Sequence, residues 1–257
     1  MKKKIAALLA MAMTVALLVT GCGKEKEENT FTVGFDQEFP PMGFVGDDGE
    51  FTGFDLDLAK ETAKRLGYEI KLQPINWDSK DMELETGNID CIWNGFTMSG
   101  REDDYTWTDA YMSNRQVFVV KKDSAIKSQS DMAGKNVEVQ KDSSAQKALE
   151  AAADFMKTVN VTYTSDYNKG LMDLESGAVD VLIMDEIVAS YYIEHENSSF
   201  TILEDSLAAE EYGVGFLKGN TELRDKVQET LEEMVEDGTM AKISEEWFGK
   251  DITILGK

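Results

Sequence analysis

Charged side chains stand at points of this 257-residue chain where they could hold a small charged molecule. Arg101 closes a stretch that contains two glycines, and Asp185 ends an apolar run. The planar fork of an arginine offers two parallel hydrogen bonds to a carboxylate. An aspartate accepts charge-assisted hydrogen bonds from an ammonium group. Together the two residue types favour a site for a molecule that carries both charges.

A sheet must position these residues, because each of them follows a predicted strand. The pattern predicts strands at 31–35, 68–72, 89–93, 116–120, 136–140, 160–163, 179–184 and 213–216. It predicts helices at 55–66, 143–155 and 221–235, and a last helix that begins near Thr239 and ends near 247–249. Strands that alternate with helices form mostly parallel sheets with helices on both faces. Ligands bind beyond the carboxyl ends of such strands, so we expect Asp36, residues 93–101, residues 140–144 and Asp185 to converge.

A helix–glycine–strand pattern occurs twice. Residues 82–90 (MELETGNID) match residues 172–180 (MDLESGAVD) in register. Gly87 and Gly177 would adopt the left-handed conformation just after a helix, and a buried strand follows each. The repeat predicts two lobes of the same construction. By the same offset, Asp185 corresponds to Gly95.

The composition limits the classes of function that the chain can have. The chain has 26 Lys+Arg and 49 Asp+Glu, a net charge of −23, which argues against nucleic-acid binding. An acidic total does not by itself make the ligand basic. Only two cysteines occur, and Cys91 lies in an apolar run, so we expect it to be a buried strand residue. The sequence predicts no metal site and no cofactor, and His195 stands in a polar surface segment.

The N-terminus has the parts of an export signal. Lys2, Lys3 and Lys4 precede residues 5–19, which carry no charge and are shorter than the roughly 20 residues of a spanning helix. Small residues before Cys22 resemble a bacterial lipobox, which predicts a signal peptide at 1–21 and a Cys22 that carries lipid such as palmitate. Residues 22–30 would then form a charged tether. An ordinary signal peptide with a chance cysteine, or an uncleaved anchor, is the alternative.

Several motifs in a fixed order carry a family resemblance. They are VGFDQEFPPMGF (33–44), GFDLDL (53–58), NGFTMSGR (94–101), WTDAY (107–111), VLIMD (181–185), YGVGF (212–216) and WFG (247–249). In these the chain resembles the family-3 solute-binding proteins of bacterial polar-amino-acid transporters. The resemblance implies an α/β, two-lobed periplasmic-binding-protein-like fold of type II. Each lobe would be a mostly parallel sheet flanked by helices, and two crossover hinge strands would join the lobes.

The resemblance also implies a domain division and a function. Lobe 1 would combine 31–112 with 213–257, lobe 2 would be 113–212, and the hinges would lie near 111–114 and 210–213. The protein would be a monomer, anchored by its lipid on the extracytoplasmic face of the cell membrane. It would capture a polar amino acid by cleft closure and deliver it to ABC permease subunits, with no catalytic residue.

The expected roles of the site residues follow from the chemistry of an amino acid. Arg101 would bind the carboxylate with help from Thr97 and Ser99, and Asp185 would bind the ammonium opposite Gly95. The N–H groups of Ser143 and Ser144, at a helix start, would add a favourable field for the carboxylate. The family usually has one more residue before its arginine, and we expect Gly100 to absorb the difference.

The resemblance assigns the ligand side chain to three residues. The aromatic rings of Phe39 and Trp77 would sandwich it, and Asp36 would accept a hydrogen bond from its tip. This favours a polar ligand with a donor, and glutamine, histidine, a basic amino acid and cystine all remain open.

Structural roles compete with these assignments. Arg101 precedes the acidic run 102–104 and could form only a surface ion pair. Asp185 could cap a helix, Phe39 could be an ordinary core residue, and Asp36 could serve a turn.

Two other functions remain as rivals. Some proteins of this fold are small-molecule dehydratases or lyases, and the chain has enough acids for such a role. A ligand-sensing module is the third reading.

Overall fold

A computed structural model describes residues 29–195 and 199–257 and shows two five-stranded sheets with helices packed on them. The predicted signal peptide, Cys22 and the tether up to residue 28 lie outside the described residues. Within the described ranges, no helix has both the length and the apolarity that a membrane crossing requires.

The first sheet is the centre of lobe 1. In spatial order it contains β5 (Glu69–Pro74), β1 (Thr30–Phe35), β6 (Cys91–Ile92), β13 (Gly215–Leu217) and β7 (Tyr105–Trp107). The first three strands are parallel, whereas β13 is antiparallel to both of its neighbours. The predicted strand at 31–35 is confirmed as β1, which is buried over nearly its whole length, and Cys91 is the buried strand residue that the sequence predicts.

The second sheet is the centre of lobe 2. It contains β10 (Asn160–Thr164), β9 (Asn136–Gln140), β11 (Val181–Asp185), β8 (Met112–Lys121) and β12 (Phe200–Tyr212). The first three strands are again parallel. The long strands β8 and β12 pair antiparallel with Met112 opposite Tyr212, and each reaches lobe 1 at that end through bridges to Thr253 and Thr97. Both crossover strands therefore run side by side between the lobes.

Helices and a small sheet complete the two lobes. In chain order the helices are α1 (Phe54–Leu66), α2 (Lys80–Glu85), α3 (Ser144–Ala151), α4 (Ala153–Met156), α5 (Tyr167–Ser176), α6 (Glu186–His195), α7 (Thr221–Glu236) and α8 (Thr239–Phe248). A three-stranded sheet contains β2 (Glu38–Phe39), β3 (Gly43–Val45) and β4 (Phe51–Thr52). Short 3-10 turns lie at Trp77–Ser79 and Gln129–Met132.

The repeated pattern has the same structure in both lobes. Gly87 and Gly177 adopt left-handed conformations, with φ of 72° and 80°. The aspartate that ends each repeat accepts a main-chain N–H from the neighbouring strand. Asp90 does so from Thr32 at 2.7 Å, and Asp180 does so from Asn136 at 2.9 Å. The equivalent contacts lock the helix–glycine–strand unit onto the sheet.

One predicted helix is wrong in its continuity. Residues 143–155 form two helices, because the backbone of Ala152 leaves the helical region at ψ 52°. The break turns Phe155 toward the core of lobe 2, where its ring meets Phe118 at a centroid distance of 5.7 Å. Packing of one aromatic side chain outweighs helix propensity here.

Candidate ligand-binding site between the lobes

The two lobes enclose a cavity of about 10 Å³. Lobe 1 lines it with Phe39, Trp77, Gly95, Thr97 and Arg101, and lobe 2 lines it with Gln140, Ser143, Ser144, Tyr167 and Asp185. Such a volume holds at most one water molecule, so the lobes must separate to admit anything larger. The structure therefore brings together eight of the ten residues that the sequence singled out.

Arg101 is buried in the cavity wall. Its side chain is 2% exposed, and its guanidinium donates to main-chain carbonyls of Thr97 (3.1 Å) and Asp142 (3.3 Å). No acidic side chain among the described residues pairs with it, so the surface ion pair with 102–104 is not formed. Burial lowers the pKa of Arg101 from its usual value, which reflects a charge held away from water. A buried cation without a counter-ion is a ready partner for a carboxylate.

Two features next to Arg101 support its use as a carboxylate-binding residue. Thr97 is buried, and its Oγ1 has no hydrogen-bond partner among the described residues. A tight turn from Met98 to Arg101 (2.9 Å) contains Gly100 at φ 75°, which accounts for the short spacing before the arginine. The same turn leaves Ser99 exposed and outside the cavity, so the expectation that Ser99 would help bind a carboxylate does not fit this geometry.

Asp185 lies on the opposite wall and is 2% exposed. Its Oδ1 accepts from Asn114 Nδ2 (2.9 Å) and Tyr212 OH (2.5 Å), and its Oδ2 accepts from Tyr167 OH (2.7 Å). Burial and the nearby Asp185 raise the pKa of both tyrosines well above the ordinary value, so they remain donors. Asn114 Oδ1, rather than Asp185, accepts an N–H from the first turn of α6, at Ile187 (3.3 Å). The carboxylate of Asp185 is therefore held by donors around the cavity.

Asp36 lies just outside this cavity, at its junction with a groove of about 770 Å³. Its Oδ2 accepts from Gln140 Nε2 across the cleft (2.8 Å), and its Oδ1 accepts from Glu38 N (2.9 Å). Asp36 therefore stabilises the local turn and also joins the two lobes. Burial raises the pKa of Asp36, and its hydrogen bonds oppose that change. Trp77 lines both the cavity and the groove.

Aromatic rings pack closely around Gly95 at one side of the cavity. Phe39 stacks on Tyr167 of the other lobe, with centroids 5.6 Å apart and planes 28° apart. Gly95 has φ 55°, and a Cβ added there would lie 2.9 Å from Phe39 Cε1 and 3.1 Å from Tyr212 Cε2. The amide of Gly95 donates to Asp55 Oδ2 at 2.5 Å. Only glycine fits this position.

The two serines at the start of α3 are already engaged. Ser143 Oγ accepts from Gln146 N (3.2 Å) as an N-cap, and Ser143 N donates to Gln140 O (3.4 Å). Ser144 Oγ accepts from Gln116 Nε2 (2.9 Å). The Ser143 N–H therefore supports the turn before α3 rather than pointing freely into the cavity.

Further contacts join the lobes at the rim. The carbonyl of Asp142 accepts from Lys80 Nζ (3.1 Å) as well as from Arg101. Lys141 pairs with Asp78 at 2.9 Å, and Asn168 donates to Glu38. These contacts define a closed arrangement of the two lobes.

The family of the chain follows from comparison with known proteins. Residues 31–250 match the bacterial extracellular solute-binding proteins, family 3. The chain belongs to this family. Among the similar proteins, the L-cystine-binding protein TcyJ of Escherichia coli K12 is 31% identical, over 98% of this chain and 97% of its own. The arginine-binding extracellular protein ArtP of Bacillus subtilis is 30% identical, over 96% and 98%.

A solved structure agrees with that membership. An ABC uptake transporter substrate-binding protein from Streptococcus pneumoniae, crystallised with bound histidine, is 36% identical to this family 3 protein. The TM-score is 0.84, and the match covers 87% of this chain and 94% of that one. The predicted two-lobed fold is confirmed.

Sequence reasoning missed several residues of this family 3 protein that meet at the cavity. They are Tyr167, which lines it, and Asn114 and Tyr212, which hold Asp185. Gln140 also lines the cavity, and it begins the segment 140–144 that the carboxyl-end rule selected. The other three depend on how the crossover strands and α5 approach Asp185, which no local pattern shows.

Proposed function

We propose that this protein captures a polar amino acid outside the cytoplasm and passes it to the permease subunits of an ABC importer. One observation carries the proposal: an arginine that is buried without a counter-ion among the described residues and a buried aspartate lie on opposite walls of one cavity, each in a different lobe. The carboxylate of an amino acid would bind Arg101 and Thr97, and its ammonium would bind Asp185. Gly95 would leave room between them.

Such a ligand would hold the lobes closed, because its two charges bind to different lobes. Each charge-assisted hydrogen bond contributes about 1.5–3 kcal/mol. Three or four of them suffice for a micromolar complex, which needs about −8 kcal/mol. The N–H groups at the start of α3, chiefly that of Ser144, would add to the field at the carboxylate end.

The ligand side chain would extend past Trp77 and Phe39 toward Asp36 and the adjoining groove. Asp36 would accept a hydrogen bond from its tip, in place of or beside Gln140. The relatives named above bind cystine, arginine and histidine, all of which carry nitrogen donors at the end of the side chain. We therefore propose a polar amino acid with such a donor.

The N-terminal assignments belong to the same proposal. Residues 1–21 would be a signal peptide, Cys22 would carry lipid such as palmitate, and 22–30 would tether a monomer to the extracytoplasmic face of the membrane. The lobe limits would be 31–112 with 213–257 and 113–212, with hinges where β8 and β12 enter lobe 1. Mass spectrometry of membrane-extracted wild type and Cys22→Ala tests the anchor, since only the wild type should carry acyl mass.

A thermal-shift screen of the form that begins at Lys24, against all amino acids including cystine, tests the central claim. A ligand that binds the folded state raises stability as RT ln(1 + [L]/Kd). Chromatography of each ligand after incubation separates capture from dehydratase or lyase activity, because an enzyme would change the ligand. Co-purification with permease subunits distinguishes a transporter component from a sensor. Absence of a shift with every amino acid at millimolar concentration would contradict capture.

A further inference from the structure

Glu210 is a buried acid behind the cavity that the proposed binding mode does not use. It lies on crossover strand β12 opposite Asn114 of β8, and its side chain is 6% exposed. Two amides donate to its Oε1: Asn114 Nδ2 at 2.6 Å and Gln116 Nε2 at 2.8 Å. Asn114 Nδ2 also donates to Asp185 Oδ1, so one amide group bridges two carboxyl groups.

Two carboxyl groups this close cannot both be ionised away from water without a cost, and they share a proton instead. The one amide nitrogen of Asn114 lies 2.6 Å from Glu210 Oε1 and 2.9 Å from Asp185 Oδ1, so the two carboxyl groups stand side by side in a buried place. Asp185 accepts hydrogen bonds from three donors that occupy both of its oxygens, Asn114, Tyr167 and Tyr212, whereas the two donors to Glu210 both lie on its Oε1. Glu210 is therefore the member of the pair that carries the proton.

The other charged and titratable groups around Glu210 agree with this assignment. Asp185 faces it from β11, Tyr167 from α5, Tyr212 from its own strand, and Arg101 from the loop after β6. The tyrosines stay neutral, and the facing residues of β8 are amides. Arg101 and the two amide donors, Asn114 and Gln116, favour ionised Glu210. Burial first, and then the charge of Asp185, nevertheless raise the pKa of Glu210 to about 8.

We propose that Glu210 is a positioning residue of the ammonium-binding end of the site, and that a bound ammonium displaces the proton of Glu210 to solvent. The inference rests on the proposed function. The ammonium places a positive charge against the pair, which favours two ionised carboxylates. The O–H bond of Glu210 breaks, its electron pair stays on the carboxylate, and a buffer base takes the proton. The affinity for the ligand therefore rises with pH, by up to tenfold per pH unit, and becomes constant above about pH 8.

Calorimetry of wild type, Glu210→Gln and Glu211→Gln tests the inference, with L-arginine, L-histidine and L-cystine as the probes. Glu211 is the exposed neighbour and provides the matched control. Heats measured near neutral pH in buffers of different ionisation enthalpy give the number of protons released. We expect release approaching one proton per bound ligand in wild type and in Glu211→Gln, and none in Glu210→Gln. The affinity of Glu210→Gln should not vary with pH between 6 and 8.

Several outcomes separate this inference from the proposed function. Wild type that binds none of the amino acids overturns both. Wild type that binds without releasing a proton, or Glu210→Gln that releases as many protons as wild type, overturns this inference alone. If Glu210→Gln does not fold, carboxyl NMR of wild type with labelled glutamate replaces it. One glutamate should then titrate near pH 8 without ligand and well below that with ligand, and an unchanged titration overturns the inference.

Discussion

The guanidinium of Arg101 in lobe 1 donates to the carbonyl of Asp142 in lobe 2, at 3.3 Å. Asp142 has φ 56°, which makes it the one residue other than glycine with a positive φ in the described part of the chain. The left-handed conformation turns the Asp142 carbonyl toward both Arg101 and Lys80. A residue in the left-handed conformation at the rim thus joins the arginine to the opposite lobe.

Asp142→Val should weaken both stability and binding. A β-branched residue in the left-handed region costs about 1–2 kcal/mol more than aspartate or asparagine, which tolerate it. Urea unfolding should show that loss, and titration should show weaker ligand binding because the carbonyl shifts. Asp142→Asn is the control and should match wild type in both measurements. Equal stability of the valine variant would show that the residue is not strained.

Arg101→Met should abolish binding without unfolding the protein. In the part of the chain that the structure describes, the acceptors of this buried charge are main-chain carbonyls, so its replacement by an apolar chain of similar length removes a desolvated cation. We expect equal or higher melting temperature and at least a hundredfold weaker binding, from about 3 kcal/mol of lost hydrogen bonding. Ser99→Ala, in the exposed turn, should bind like wild type. Full affinity in Arg101→Met would remove the residue from the site.

Asp185→Ala should also abolish the ligand-induced thermal shift. The substitution removes the anion that three donors hold in place, and it leaves the hydroxyls of Tyr167 and Tyr212 without their acceptor. We expect a modest loss of stability and complete loss of the shift. Asp180→Ala, which removes a carboxylate from the same strand region but outside the cavity, should keep the shift. If Asp185→Ala kept the ligand-induced thermal shift, the ammonium group of the ligand would have to bind at another residue.

Much of this fold could be predicted from local pattern, and much of the site could not. The helix that ends at Gly67, the two repeats at Gly87 and Gly177, and strand β9 follow from periodicity and glycine conformation. Arg101 and Asp185 stood out because charged residues after buried strands are conspicuous. Local pattern therefore located the two opposite walls of the cavity.

The remaining contacts depend on long-range geometry. Glu210 meets Asp185 only because β12 pairs with β8 in one register. Ser99 is exposed and does not line the cavity, because it lies in the four-residue turn from Met98 to Arg101. Neither the register of distant strands nor the direction of a turn residue leaves a periodic trace in the sequence.

Asp55 should make stability depend on pH. It is fully buried beneath the site, where burial raises its pKa to about 7 and hydrogen bonds from Gly95 and Tyr111 oppose the change. The native state thus holds a proton that the unfolded state loses at about pH 4. Stability from this group is full below pH 4 and falls as pH rises to about 7, by up to about 4 kcal/mol. Urea unfolding measured from pH 4 to pH 7 should show this decrease of the unfolding free energy in the wild type and not in Asp55→Asn. The same dependence on pH in both proteins would contradict the assignment.

Gly95→Ala should weaken ligand binding, because the added methyl group displaces the aromatic rings that line the cavity. The added Cβ would lie 2.9 Å from Phe39 Cε1, and φ 55° adds strain for any residue with a side chain. Gly100→Ala is the matched control, because Gly100 has φ 75° but nothing within 4 Å of an added Cβ. The two variants share the backbone strain, and only the first has the clash. Calorimetry should therefore show weaker ligand binding for Gly95→Ala than for Gly100→Ala. Equal affinity in the two variants would mean that Phe39 and Tyr212 can move aside without cost, and that binding does not require glycine at this position.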